Sequence, residues 1–156
     1  AYVQAFLPKR RLLAAKRRGK LNQQLHTASE KGLHPLVQAL LKKGACKDST
    51  REDSSTSLCI AALNGHEAVT KVLCNFGAAK DKVDQQGATP LSMAAHSGHE
   101  AVAKLLCDSG AAKDQAEDRG QTPLLIAATF ADEAVAKLLC DAGAAKDKAD
   151  QNGQKP

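Results

Sequence analysis

Five cysteines and five histidines are the residues of this 156-residue chain whose types could do chemistry. They could bind a metal, pair as thiol nucleophile and base, or form disulfides. Their spacing speaks against all three. Cys74, Cys107 and Cys140 recur every 33 residues, so they hold equivalent places in successive units. Stacked equivalents lie about one helix-packing distance apart, ~8 to 10 Å, too far for a disulfide without distortion. Cys46 and Cys59 make the total odd, and no Cys-x-x-Cys occurs. Free, partly buried thiols are therefore expected. His66 and His99 share the 33-residue spacing, at a helix junction where an imidazole should bond to neighbouring backbone, and His26 is read the same way. His34 and His96 are expected to be exposed. No histidine stands at i, i+4 from another histidine or a cysteine, and no Gly-x-Ser-x-Gly, Gly-rich phosphate loop or carboxylate pair is present. The reading is of a chain with no catalytic residue, no metal and no cofactor.

The charges point elsewhere. Lys9, Arg10, Arg11, Lys16, Arg17, Arg18 and Lys20 crowd the first 20 residues with no acid among them, while the remainder is nearly balanced. The net charge of +5 thus describes an arm rather than a basic face. Two basic triplets seven residues apart would lie two turns apart on one side of a helix starting near Pro8, about 10 Å. Three readings of the arm stay open: a solvated lead-in helix, a contact for an anionic partner, or a nuclear-import signal. Tyr2, Val3, Phe6 and Leu7 ahead of it form an apolar patch with no counterpart later in the chain. Further on, Lys47-Asp48, Lys80-Asp81, Lys113-Asp114 and Lys146-Asp147 recur as dipeptides. They read as a solvated ladder of exposed pairs, each worth ~0 to 1 kcal/mol.

The elements that must position these residues are set by composition and repetition. The chain holds 29 Ala but one Tyr, three Phe and no Trp, so its core must be built from Ala and aliphatic side chains in close-packed helices. Residues 87–119 laid on 120–152 agree at 21 of 33 positions. Stepping back by the same period recovers 54–86 and 21–53, which makes four units. In the third, Thr89 caps a helix that begins with Pro90 and carries Leu91, Ala94 and Ala95 on one face. Gly98 ends it, a second helix runs from about Glu100 to Asp108 with Val102, Leu105 and Leu106 inward, and Gly110 ends that one. Two short helices cannot bury an apolar face alone, so the units must stack into a solenoid.

With Thr-Pro-Leu at 89–91 and 122–124, Gly-His-Glu-Ala-Val at 65–69 and 98–102, and Leu-Leu-x-x-Gly-Ala recurring in register, the chain resembles the ankyrin repeat family over residues 21–152. The resemblance implies an all-α solenoid of helix-turn-helix units joined by β-hairpin-like loops, with a concave face. Residues 1–20 are then a basic, partly helical arm, and 153–156 the start of a further unit with Lys155 in the Thr position. Two departures stand out. Gln23-Gln24 replaces Thr-Pro in the first unit, which fits a polar cap, and Ala131-Asp132 replaces Gly-His in the fourth. A left-handed Ala131 would cost about 1 kcal/mol relative to Gly, so that corner is expected to be remodelled or strained. The start at Ala1 without Met, and the stop at Pro156, read as a processed chain or an excerpt, with the apolar end of the fourth unit needing a cover.

The resemblance further implies that partners meet the loop tips and the exposed side of each first helix. On this chain those positions are Glu52, Asp53, Ser55, Leu63 and Asn64; Gln85, Gln86, Ala88, His96 and Ser97; and Asp118, Arg119, Gln121, Thr129 and Phe130. Phe130 is read as an outward aromatic anchor or as filler beside Ala131, with Phe76 a weaker candidate. The leading expectation is a non-catalytic scaffold that binds another protein through the concave face and loops, its arm touching an anionic surface. The alternative is a permanent structural subunit of a large multiprotein complex, an organelle being one setting for it, with the arm docked into its neighbours. Nucleic acid is the less favoured partner, and no stretch is long and apolar enough to span a bilayer. The expected location is the cytosol or nucleus, with an organelle interior as the alternative.

Overall fold

The structure is a computed structural model that describes residues 3–156, with side chains from residue 11 onward. Tyr2 and the side chains of Val3, Phe6, Leu7, Lys9 and Arg10 lie outside the described residues. Among the described residues eight helices follow one another: α1 (Val3–Glu30), α2 (His34–Lys42), α3 (Ser57–Leu63), α4 (Glu67–Asn75), α5 (Pro90–His96), α6 (Glu100–Asp108), α7 (Pro123–Thr129) and α8 (Glu133–Asp141). They pair as α1 with α2, α3 with α4, α5 with α6 and α7 with α8. The first helices stack in one layer and the second helices in another, so the chain is an all-α solenoid of four units.

Local chemistry starts and stops each helix where the repeat demands it. Thr56, Thr89 and Thr122 sit in extended backbone and accept from the N–H of Cys59, Ser92 and Leu125, satisfying donors that the first helical turn leaves without partners. At the corner after each first helix the chain takes a left-handed residue: Gly32, Gly65, Gly98 and then Ala131, at φ 55°. The fourth corner is thus kept in the same shape and strained rather than remodelled. Asp132, in the His position, caps α8 by accepting from the Val135 N–H.

The core is a spine of identical rungs. Leu73, Leu106 and Leu139 are fully buried, as are Leu25, Leu58 and Leu91, with Val37, Val69, Val102 and Val135 beside them. Each such leucine contributes about 1.5 to 3 kcal/mol relative to exposure. Ala61, Ala62, Ala94, Ala95, Ala103 and Ala127 let the helices approach closely. In α6 the inner positions go to Val102, Ala103 and Leu106, and Leu105 is only half-buried, because its side chain falls on the flank of the helix.

The expected lead-in helix is longer than the charge pattern indicates. It begins at Val3 rather than near Pro8 and runs without interruption into the first unit, so a single helix carries both the arm and the first rung of the inner layer. Residues 11 to 20 are exposed throughout, and Leu21 packs against the core.

Candidate functional site

The loops between units are hairpin-like turns. In each, a backbone N–H reaches across: Arg51 to the Ser55 carbonyl, Asp84 to Ala88, Glu117 to Gln121 and Asp150 to Gln154. The only β-bridge among the described residues pairs Thr50 with Thr56. A left-handed residue closes each turn: Ser54 in the first and Gly87, Gly120 and Gly153 in the others. Asp84 and Asp150 lock their turns by accepting from the N–H groups two and four residues on, at 2.8 to 2.9 Å. In the third loop Glu117 stands where those aspartates do, and its longer side chain makes neither bond. Consecutive loops are also tied together, since the Gln85 amide donates to the Glu52 carbonyl and that of Gln151 to Asp118, both at 2.6 Å.

Between the second and fourth units the loops and the exposed sides of α3, α5 and α7 enclose a groove of about 420 Å³. Leu63, Met93, Ile126 and Phe130 supply apolar wall, and Asp84, Glu117, Asp118 and Arg119 supply charge. Phe130 is 55% exposed and meets His96 edge to face, ring centroids 4.4 Å apart at 63°. The aromatic therefore faces outward, propped by an imidazole from the preceding unit. Burial pushes the Glu117 carboxyl up from its ordinary range, with Arg119 pulling the other way.

The groove collects Leu63, Gln86, Ala88, His96, Asp118, Arg119, Gln121 and Phe130 out of the positions expected to meet a partner. Glu52 and Asp53 instead border a wider depression between the first loop and α1, with His26 and Arg51. Ser55 is only 7% exposed, because it turns inward beneath its loop, so it presents no surface to a partner. Asn64 caps the end of α3 by donating to the Ile60 carbonyl at 2.8 Å, and Thr129 bonds back to Leu125 at 2.8 Å. Gln85 is occupied in the loop ladder, and Ser97 is the half-buried cap of α5. Asp84, Ser92, Met93, Glu117 and Ile126 also line the groove, outside the expected positions. The Asp-to-Glu exchange at 117, where the second and fourth units carry the turn-locking Asp84 and Asp150, is the signal that marks one of them in the sequence.

The histidines act as braces. His66 donates from Nε2 to the Glu30 carbonyl (2.9 Å) and His99 to that of Leu63 (3.1 Å), each reaching back 36 residues to the preceding unit. His26 is buried and donates from Nε2 to the Ser49 carbonyl at 3.0 Å, which ties the first helix to its own loop. Burial holds its pKa below the ordinary value, although the Ser49 bond works against that. His34 and His96 are exposed.

The recurring Lys-Asp dipeptides do more than form exposed ion pairs. Asp48, Asp81 and Asp114 accept from the backbone N–H of Ala79, Ala112 and Ala145, at 2.7 to 2.8 Å, each one unit further on. Only Lys47 and Asp48 pair within a dipeptide among the described residues, at 2.8 Å, while Lys82 and Lys148 reach back to the carbonyls of Asp48 and Asp114. For Asp48, burial raises the pKa, but the Ala79 N–H together with Lys47 and Lys82 outweighs it and holds the carboxyl low.

All five thiols are unpaired, and among the described residues no three His, Cys, Asp or Glu side chains converge as metal ligands. Burial raises the pKa of Cys59, Cys74 and Cys107, which favours the thiol over the thiolate. On the arm, Arg11, Lys16, Arg17, Arg18 and Lys20 are exposed, alongside Leu12 and Leu13 at 58% and 66% exposure. No described helix is long and apolar enough to cross a membrane.

Comparison with protein families gives a match to ankyrin repeats in three copies over residues 25–117, and to a further ankyrin repeat over 119–151. No curated protein matches the chain.

Proposed function

Because the chain belongs to the ankyrin repeat family, whose repeats are protein-interaction modules, we propose that it is a non-catalytic scaffold that grips a partner protein in the concave groove. One observation carries this reading: an exposed aromatic, Phe130, meets His96 edge to face in a partly apolar groove. Aromatic anchors of that kind dominate many interfaces. The framework residues have their hydrogen-bonding groups engaged in bracing one unit against the next, which leaves the groove as the surface with chemistry to spare. The basic arm adds a second contact, to an anionic surface, through side chains that project from α1 with no partner on the stack.

The test is photocrosslinking in cell extract with a photoreactive phenylalanine at position 130, a second probe in the arm at Arg17, and a control at Lys104 on α6. Adducts specific to position 130 are expected. Equal labelling from position 130 and Lys104, or hydrolytic turnover abolished by changing one His or Cys, would sink the proposal. A permanent place in a larger assembly is the second reading. It is favoured by Leu12 and Leu13, which stand exposed on an unbroken helix. A chain that remains monomeric and soluble in isolation, with an arm that labels nothing, counts against it.

A further inference from the structure

The groove is chemically lopsided. Its loop side carries three carboxylates, Asp84, Glu117 and Asp118, against the single guanidinium of Arg119. Asp84 spends one oxygen on its own turn. Among the described residues, the carboxylates of Glu117 and Asp118 form no ion pair within 4.0 Å. Phe130 and Leu63, at the ends of α7 and α3, line the same groove and are exposed by 55% and 46%. The departure at position 117 works in the same direction, since a Glu there gives up the turn-locking bonds that Asp makes in neighbouring units and leaves its charge facing the cavity.

We infer that the groove takes a segment of another protein that presents an arginine or lysine within two positions of a large aliphatic or aromatic side chain, the cation lying against Glu117 and Asp118 and the apolar group against Phe130 and Leu63. This rests on the concave-face reading above and adds the chemistry of the partner. Charge complementarity sets the choice. An acidic segment would meet two excess negative charges at close range, and a wholly apolar one would desolvate carboxylates without replacing their water. A cation-bearing segment satisfies the carboxylates with charge-assisted hydrogen bonds and leaves the aromatic to supply buried area.

The experiment selects random dodecapeptides displayed on phage against the immobilised whole chain, then measures the enriched peptide, fluorescein-labelled, by anisotropy. Enriched sequences should place Arg or Lys beside Leu, Ile, Met or Phe. Phe130→Ala, and separately the pair Glu117→Gln with Asp118→Asn, should each weaken binding at least tenfold. Lys104→Ala on α6 should leave it unchanged. All substituted side chains are exposed or half-buried, and a helical melting curve confirms each variant folded. Peptides that lack a basic residue yet still depend on Phe130 would overturn the inference and spare the concave-face reading. Peptides indifferent to every groove substitution would overturn both. Failure to enrich any basic-apolar sequence overturns the inference. So does self-association of the wild-type chain in sedimentation that Phe130→Ala abolishes, since the occupant is then the arm of a second copy.

Discussion

Ala131 and His26 each hold energy that the repeat itself would not choose. Ala131 takes φ 55° at a corner where the other three units place glycine. A left-handed conformation costs an L-residue about 1 to 2 kcal/mol, partly offset by the larger chain entropy that glycine loses on folding. Ala131→Gly should therefore stabilise the fold by up to about 1 kcal/mol, seen as a raised midpoint in urea titration. His26 stores a different kind of cost. Its folded pKa lies below the ordinary value of 6.5 because burial disfavours the imidazolium. The unfolded chain therefore binds the proton more readily, and stability present above about pH 6.5 is lost as pH falls through the folded pKa. The melting temperature should drop between pH 7.5 and 5, and the slope should flatten in His26→Asn. The strain at Ala131 is legible in the sequence, since the missing glycine stands out against its repeats. The His26 brace is read only in general terms, because its partner, Ser49, lies 23 residues away and outside the repeat pattern.

The helices hold one another through two ladders, and each makes a prediction. The apolar ladder is the Leu73, Leu106, Leu139 spine, where Leu106→Ala should cost about 2 to 5 kcal/mol in denaturant unfolding. The polar ladder is the set of carboxylates that each bond an N–H in the next unit. Removing two rungs with Asp81→Ala and Asp114→Ala should cost about 1 kcal/mol apiece, measured the same way. Replacing Lys80 and Lys113 with Ala should cost far less, because neither lysine pairs with its neighbouring aspartate among the described residues. The helix starts, the glycine corners and the spine follow from spacing, since each is local or repeats with the period. The carboxylate ladder does not, because its bonds join residues 31 apart and the same dipeptides fit an exposed charge pair equally well. Ser55 shows the same limit: variation between units marks it as surface, while the turn of its loop buries it.

Across the whole molecule, charge is segregated. The arm is cationic, the groove carries an excess of carboxylates, and the repeats between them are close to neutral. Arg17→Glu with Arg18→Glu should leave the melting temperature unchanged within the error expected of exposed sites, about 0.5 kcal/mol. The same pair should abolish retention on anionic lipid vesicles, and wild-type retention should fall steeply as salt rises. A melting temperature lowered by several degrees would mean instead that the arm is part of the folded stack. The absence of any break in α1 fixes what such an arm can be. A helix advances 1.5 Å per residue, so the eighteen residues from Val3 to Lys20 make a strut of about 27 Å rather than a leash. Two ligands engaged at once would be kept at a set spacing and angle, like parts clamped in a jig, and a pair of the wrong dimensions would gain nothing from being bound together.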